Sequence, residues 1–431
     1  MIFLVVGFFV RLYSLKQMKK AFLCFLVFKV FLVTNINVLS IPGLPLLSLD
    51  MCLTLWFFFW IFKRRKSELY CRKKMPYMKP MFCIAFVYFL STLFSIAGFG
   101  SAVSAYIKDV CNMILTPWMM WKLVDSEDDF RFVIKGLMIA FLLTCVYGIV
   151  ERVIQANPLV AYETTLVNDM AKTIDFRYED EFRGYRVQSV FEHPIGAGIN
   201  WAMFAFLVLI ILWERKETYI GVRKALCMIV FLLCLLCLLF SNCRGPIVFF
   251  IVSLFAVVNF KSKRSLCVMF FLALMGVAML SAVGDNYVYN ILSLFDDSYQ
   301  DKVGGSTAEQ RMGQLNAAIA LLKQSPLWGL GYKFLNVMSN STTRALLGLE
   351  SMWFRILVQF GLLGFLANVY LGIYSLFFIP RKYRIKTIFW FSLAYWVTAS
   401  LTSLPGMLFY LYYFIIFYLI KQKGCANECG C

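Results

Sequence analysis

The chain has 431 residues, of which 61% are hydrophobic, 18% aromatic and only 15% charged, and it carries a formal net charge of +18. So few charged side chains cannot clothe a soluble globular surface, which excludes a soluble enzyme and leaves an integral membrane protein.

Apolar runs long enough to cross about 30 Å of hydrocarbon as helices fall near 20–38, 45–62, 80–97, 104–121, 132–150, 196–213, 224–240, 245–260, 265–284, 353–379, 387–401 and 405–420. These twelve runs predict an all-α polytopic bundle forming one transmembrane domain over 1–431. Residues 2–13 lack a basic leader and a small-residue cleavage site, so they read as an interfacial helix or a further span rather than a signal peptide.

Orientation follows from lysine and arginine in short loops, which stay on the cytoplasmic side. The segments "KQMKK", "KRRKSELYCRKK", "KLVDSEDDFR", "ERKETYIGVRK", "KSKR" and "PRKYRIK" fall on one side, and "TNINVLSIPG", "AGFGS" and "TSLPG" on the other. Both termini are then cytoplasmic, and the positive charge is a topogenic signal with some attraction to anionic lipid rather than a nucleic-acid footprint. Two long loops, 151–195 and 285–352, lie outside and still carry arginine. Long outer loops translocate regardless of charge, so topology does not account for those arginines.

Most of the fourteen cysteines sit inside apolar runs, where a thiol behaves as a small hydrophobe. The tail "GCANECGC" matches no zinc spacing well and reads as reduced and cytoplasmic. There is no phosphate-binding GxxxxGK[ST] loop and no soluble domain.

In the first outer loop, "FRGYRVQSVFEHPIGAGIN" holds Arg183, Arg186 and His193 directly before a span. An arginine fork grips phosphate at two points; the same two arginines could instead pair with Glu179, Asp180, Glu181 or Glu192. His193 precedes Pro194, which biases it out of helix, where it could donate to a phosphate, carry a proton, or simply cap. The next outer turn, "SNCRGP", is so short that Arg244 must reach to the outer face or point into the bundle. In the second loop, Ser306 and Glu309 fit a capping box and "SPLWGLG" ends the helix that follows. Met312, Leu315, Ile319 and Leu322 predict the stripe by which that helix rests on membrane or bundle. Arg311 sits in its first turn, where free amides already favour anions. Glu350 stands just before Trp353 at the start of a long span, placed to deprotonate a hydroxyl, to cap the helix or to pair with Arg355.

Taken in order, the arginines and "HP" before a span, the outer "CRG" turn, "SPLWGLGY" after a helix, and "ES" followed by "LVQFGLLG" resemble the O-antigen ligase and O-antigen polymerase superfamily of bacterial envelope enzymes. The motifs cover roughly residues 180–370. The resemblance implies a metal-independent, cofactor-free glycosyltransferase of the GT-C type in the inner membrane, with its active face periplasmic. It implies that Arg186, Arg244 and Arg311, with Arg183 and His193 in support, bind the pyrophosphate of an undecaprenyl pyrophosphate-linked oligosaccharide, and that Glu350 is the catalytic base. Ligases of the superfamily carry a histidine where Glu350 stands, and "SRG" is common where this chain has "CRG". These departures favour a polymerase of O-antigen, capsule or exopolysaccharide over a ligase acting on lipid A core. The expected partners are the lipid-linked oligosaccharide and membrane lipid, with room for a chain-length regulator. A flippase for the same lipid-linked sugars is the alternative of another class. It would need charge along the bundle interior, where Lys29 is the main early exception and Lys108 and Asp109 lie near an outer end.

Overall fold

The computed structural model describes residues 17–32, 37–39, 47–64, 74–165, 179–180, 184–216, 220–258, 308–338, 351–402 and 410–428, with Gly7, Arg11 and Ser262 as single positions. The expected span at 265–284, most of the second long loop including Ser306, the remainder of 2–13, Arg183, Glu350, Cys429 and Cys431 lie outside the described residues.

The described chain is mostly helical. In order it runs α1 (Met18–Phe28), the short antiparallel pair β1 (Asn37–Leu39) and β2 (Leu47–Ser48), α2 (Leu49–Arg64), α3 (Met78–Leu93) and α4 (Phe99–Val110). A π-helical segment, Cys111–Leu115, joins α4 to α5 (Thr116–Leu123). There follow α6 (Glu127–Ile154), α7 (Pro158–Thr165), the pair β3 (Glu179–Asp180) and β4 (Gly184–Tyr185), α8 (Pro194–Trp213), α9 (Lys224–Phe240) and α10 (Arg244–Leu254). The last group is α11 (Ala308–Leu322), α12 (Met352–Ile373), a π segment Tyr374–Phe378, α13 (Ile379–Tyr383), α14 (Lys386–Leu401) and α15 (Tyr410–Glu428).

Among the described residues three helices are long and apolar enough to cross a membrane: Glu127–Ile154, Pro194–Trp213 and the continuous run Met352–Tyr383. Met78–Leu93, Lys224–Phe240 and Arg244–Leu254 are shorter apolar helices. The all-α membrane bundle is therefore observed, and three of the twelve expected spans meet that length and composition standard here.

Helix α8 is the hub. Nearly every side chain from Ala197 to Ile211 is buried, so it is apolar all round and walled by other helices. Aromatic stacking locks it laterally. Phe204 lies over Phe141 of α6 at 4.1 Å, and Phe206 lies over Phe391 of α14 at 5.0 Å, which in turn stacks on Tyr412 of α15 at 5.3 Å. At the predicted cytoplasmic end, Ser126 and Asp129 form a reciprocal capping box that starts α6. Lys19 of α1 reaches Asp125 and Asp129, each at 2.7 Å, tying the two helices together.

Lys29, Asp50 and Asn112 form a buried polar triad. Lys29 Nζ donates to both Asp50 oxygens at 2.5 and 2.6 Å and to Asn112 Oδ1 at 2.9 Å. By helix rise Lys29 lies about 15 Å above Lys19, at the depth where an unpaired charge is most costly. The π widening places Asn112 as the third acceptor while its Nδ2 donates to Lys108 O at 3.1 Å. Lys29 opens the 3-10 turn Lys29–Phe31 that ends α1, Asp50 lies in α2 and Asn112 in the α4–α5 rod, so the triad pins three elements at once.

The span expected over 353–379 is broken. Gly361 has φ 63° and ψ −163°, outside helix geometry, and the chain resumes as helix beyond it. The segment "SPLWGLGY" fills the gap. Leu330 N donates to Val358 O at 2.8 Å and Gly331 N to Gln359 O at 2.9 Å, while Leu362 N donates to Pro326 O at 2.9 Å and Leu363 N to Leu327 O at 3.3 Å. Backbone groups freed by the break are thus satisfied by another stretch of backbone, as hydrocarbon surroundings require. Ser91 Oγ of α3 donates to Gln359 O at 2.8 Å, and Ser95 Oγ to Tyr332 O at 3.0 Å, fastening the same joint.

Of the stripe expected on α11 against membrane or bundle, Met312 and Ile319 are exposed and do not pack on the bundle, whose contact is the buried face of Gln314, Ala317, Ala318 and Leu321 against Val358 of α12. Alanines admit close approach between helices and so displace the bulkier stripe from the contact.

Candidate functional site

The segment after β4 is held at almost every residue. Glu151, fully buried at the predicted outer end of α6, accepts from Tyr185 OH at 3.0 Å, Gln188 N at 3.1 Å and Ser189 N at 2.6 Å. Arg152 Nη1 donates to Tyr185 O at 3.3 Å, and Val187 N donates to Phe240 O, the last residue of α9, at 3.0 Å. Ser189, at φ 54°, turns the chain and donates its hydroxyl to Thr144 O at 2.7 Å, while Asn157 Nδ2 donates to Ser189 O at 2.7 Å.

From that segment Arg186 extends to the outer turn between α9 and α10. Its Nη2 donates to Cys243 Sγ at 2.8 Å, and the Cys243 thiol donates to Ser241 O at 3.0 Å. Asn242, at φ 49°, makes the turn, and Arg244 is the first residue of α10. Two of the predicted arginines, 58 residues apart in the chain, are thus brought to one locus by the turn.

Three helix starts meet there. The first residues of α8 and α10 touch so closely that a Cβ at Gly198 would lie 2.8 Å from Pro246 Cγ and from Ser241 Oγ. A Cβ at Gly245 would lie 2.4 Å from Thr402 Cγ2, and Met352 N of α12 donates to Thr402 O at 3.0 Å. His193, Cys243 and Ser351 are the respective N-caps. Unpaired amides and the positive dipole ends of helices favour anions, and two arginines strengthen that preference.

His193 faces this locus as a neutral ring. Burial first, and the Arg186 charge second, push it down from its ordinary 6.5 to about 4. Its Nδ1 accepts from Ile195 N at 3.1 Å, so the neutral ring carries its proton on Nε2, ready to donate. The unfolded chain takes up this proton near 6.5 and the folded chain only near 4, so the folded state loses stability as pH falls across that window. Thermal unfolding in detergent is expected to show that decline for the native chain and a shallower one for His193→Gln; equal declines would contradict the assignment. At the same rim, burial and the neighbouring Glu192 charge push the Glu163 carboxyl of α7 up to about 7.

Arg311 stands apart from this locus in the chain, on α11, and by helical spacing shares the face of Gln314, Ala318 and Leu321 that packs on α12. Glu350 and Arg183 lie outside the described residues, so the geometry of the site is that of Arg186, His193 and Arg244. Among the described residues no three His, Cys, Asp or Glu side chains converge as a metal site.

Two features were not singled out from the sequence. Glu151 is one, although a carboxylate closing a long apolar run beside Arg152 is an available signal. The other is the contact made by Asp109, which the sequence shows only as a charge near an outer end: its Oδ2 accepts from Tyr332 OH of "SPLWGLGY" at 2.5 Å, next to Tyr88 and Phe360, whose rings stack at 3.6 Å.

Residues 229–369 match the family model described as O-antigen ligase. The match covers less than half of the chain and supports the resemblance to the O-antigen ligase and polymerase superfamily. The matched stretch takes in Arg244, Arg311, the "SPLWGLGY" joint and the broken helix α12, and it leaves Arg186 and His193 upstream of its start. No curated protein gives a significant match to the chain. The matched family is one whose substrate is a lipid-linked polysaccharide in the membrane.

Proposed function

We propose that this protein is a polymerase of O-antigen, capsular or exopolysaccharide repeat units, working at the periplasmic face of the inner membrane. The growing glycan leaves undecaprenyl pyrophosphate and joins a hydroxyl of the next lipid-linked unit. The observation that carries the reading is the meeting of Arg186 and Arg244 with the starts of α8 and α10 on the predicted outer face.

In the reaction, the acceptor hydroxyl oxygen attacks the anomeric carbon from the side opposite the leaving group and inverts it. The bond from that carbon to the pyrophosphate oxygen breaks, and the pyrophosphate keeps the electron pair. Glu350 takes the hydroxyl proton. Charge grows on the leaving oxygen, and donors already aimed there stabilise the transition state more than the ground state. Arg186, Arg244 and Arg311 supply those donors, with Arg183 and the Nε2 proton of His193 in support. The pyrophosphate carries its own activation, so no nucleotide is consumed.

A ligase acting on lipid A core is the second reading, favoured by the matched family's description. Glu350 in place of a histidine argues for the polymerase. A flippase fits less well, because Lys29, the main charge inside an early span, is closed by Asp50, and Glu151 and Asp109 are likewise held by partners within the protein.

The test is purified protein in detergent, supplied with the undecaprenyl pyrophosphate-linked repeat unit of its own host and no nucleotide. A ladder of lengthening products that vanishes in Glu350→Gln is the expected result. Transfer only after a lipid A core acceptor is added would make the chain a ligase, and no turnover with either acceptor would overturn both enzymatic readings.

A further inference from the structure

We propose that Glu151 is a positioning residue for Arg186, an inference that rests, for its effect on transfer, on the reading of Arg186 as a pyrophosphate ligand. A flexible arginine side chain loses much rotational freedom when it grips an anion, so a site that fixes it in advance binds more tightly. Glu151 supplies that fixing through the backbone. Its two oxygens hold Tyr185 OH on one side of Arg186 and the amides of Gln188 and Ser189 on the other. Between these anchors Val187 is tied to Phe240 O, which ends α9 just before the turn that carries Cys243 and Arg244. Residue 186 is therefore carried on a clip whose flanks are fixed to α6 and α9, and its guanidinium lands on Cys243 Sγ.

The carboxylate is needed in both oxygens. An amide in its place keeps one acceptor and turns an N–H₂ group toward an N–H donor, leaving a buried donor without a partner. The clip then loosens and Arg186 leaves Cys243, with no change in the charge or identity of Arg186 itself.

Two measurements on the full-length protein in detergent separate this idea from the enzymatic reading. The first is the rate at which N-ethylmaleimide modifies Cys243, followed by peptide mass spectrometry. Cys243 is 4% exposed and covered by Arg186, so the native rate is low. Arg186→Ala and Glu151→Gln are each expected to raise it about tenfold or more, and the double variant no further, because both act on one contact. Tyr185→Phe, which removes one of the three bonds, is expected to fall between and serves if Glu151→Gln does not fold.

The second measurement is transfer from the lipid-linked donor. Glu151→Gln is expected to raise KM for the donor more than it lowers kcat, and to add no loss in the Arg186→Ala background. Cys243 as protected in Glu151→Gln and in Tyr185→Phe as in the native chain, or losses of transfer that multiply in the double variant, would overturn the positioning role. Loosened Cys243 labelling with no transfer by the native chain would retain the positioning of Arg186 and overturn the enzymatic reading instead.

Discussion

Arg244→Ala is expected to lower transfer about 10²–10³-fold while leaving the protein inserted and monodisperse, the size of effect seen when one preorganised donor to a developing negative charge is removed. The residue opens α10, so its side chain and the helix's free amides act on the same point. Thr398 Oγ1 meets Gly245 O at 3.4 Å and the Gly245–Thr402 contact is made by the next residue, so the helix start survives the truncation. Arg244→Lys restores the charge without the planar fork and is expected to recover only part of the rate. The measurement is product length on a gel in cells and initial rate in detergent. Native chain lengths in Arg244→Ala would remove the residue from the pyrophosphate site.

Gly329→Ala is expected to cost at least about 3 kcal/mol and to abolish the monodisperse peak of the detergent-solubilised protein. Gly329 has φ 71°, and a Cβ there would lie 2.5 Å from Gln359 C, Gln359 O and Gly361 N. All three are backbone atoms at the break in α12, so no rotamer change can relieve the contact. Gly313 of α11 provides the control, since a Cβ there meets nothing within 4 Å. Gly313→Ala is expected to be neutral or to stabilise the helix by about 0.5–1 kcal/mol. Equal thermal stability of the two variants would mean that the joint at Gly361 yields more easily than its hydrogen bonds imply.

The long apolar helices α6 and α8 were legible because length and hydropathy alone define them. Arg186 and Arg244 stood out for a different reason: they fall on the side of the membrane where the distribution of lysine and arginine leaves basic residues unexplained. The break at Gly361 was not legible, because "LVQFGLLGF" is a continuous apolar run and a glycine inside such a run is ordinary. Its meaning depends on Pro326 to Gly331, which a reading by local pattern keeps separate. Glu151 was hidden in the same way, since its partners at 185, 188 and 189 are far along the chain and two of them are backbone amides of no particular residue type. The bundle-facing side of α11 was not legible, because alanines weigh little in a hydrophobic stripe, although small size is what the contact with Val358 selects. The Lys29 and Asp50 charges are visible in the sequence, but their pairing through a π-widened helix is a fact of packing.

The joint between "SPLWGLGY" and α12 also bears on how the protein is made. Its two parts leave the ribosome separately, residues 326–331 first and 358–363 later, and the bonds that join them form only when they meet. A membrane-inserting segment with open amides is costly in lipid, so α12 is expected to enter the bilayer as an unbroken helix and to open at Gly361 only when residues 326–331 dock. Assembly of the outer face would then be a late step of biogenesis, completed after insertion, and a chain arrested before that step would be fully embedded in the membrane yet lack its finished surface.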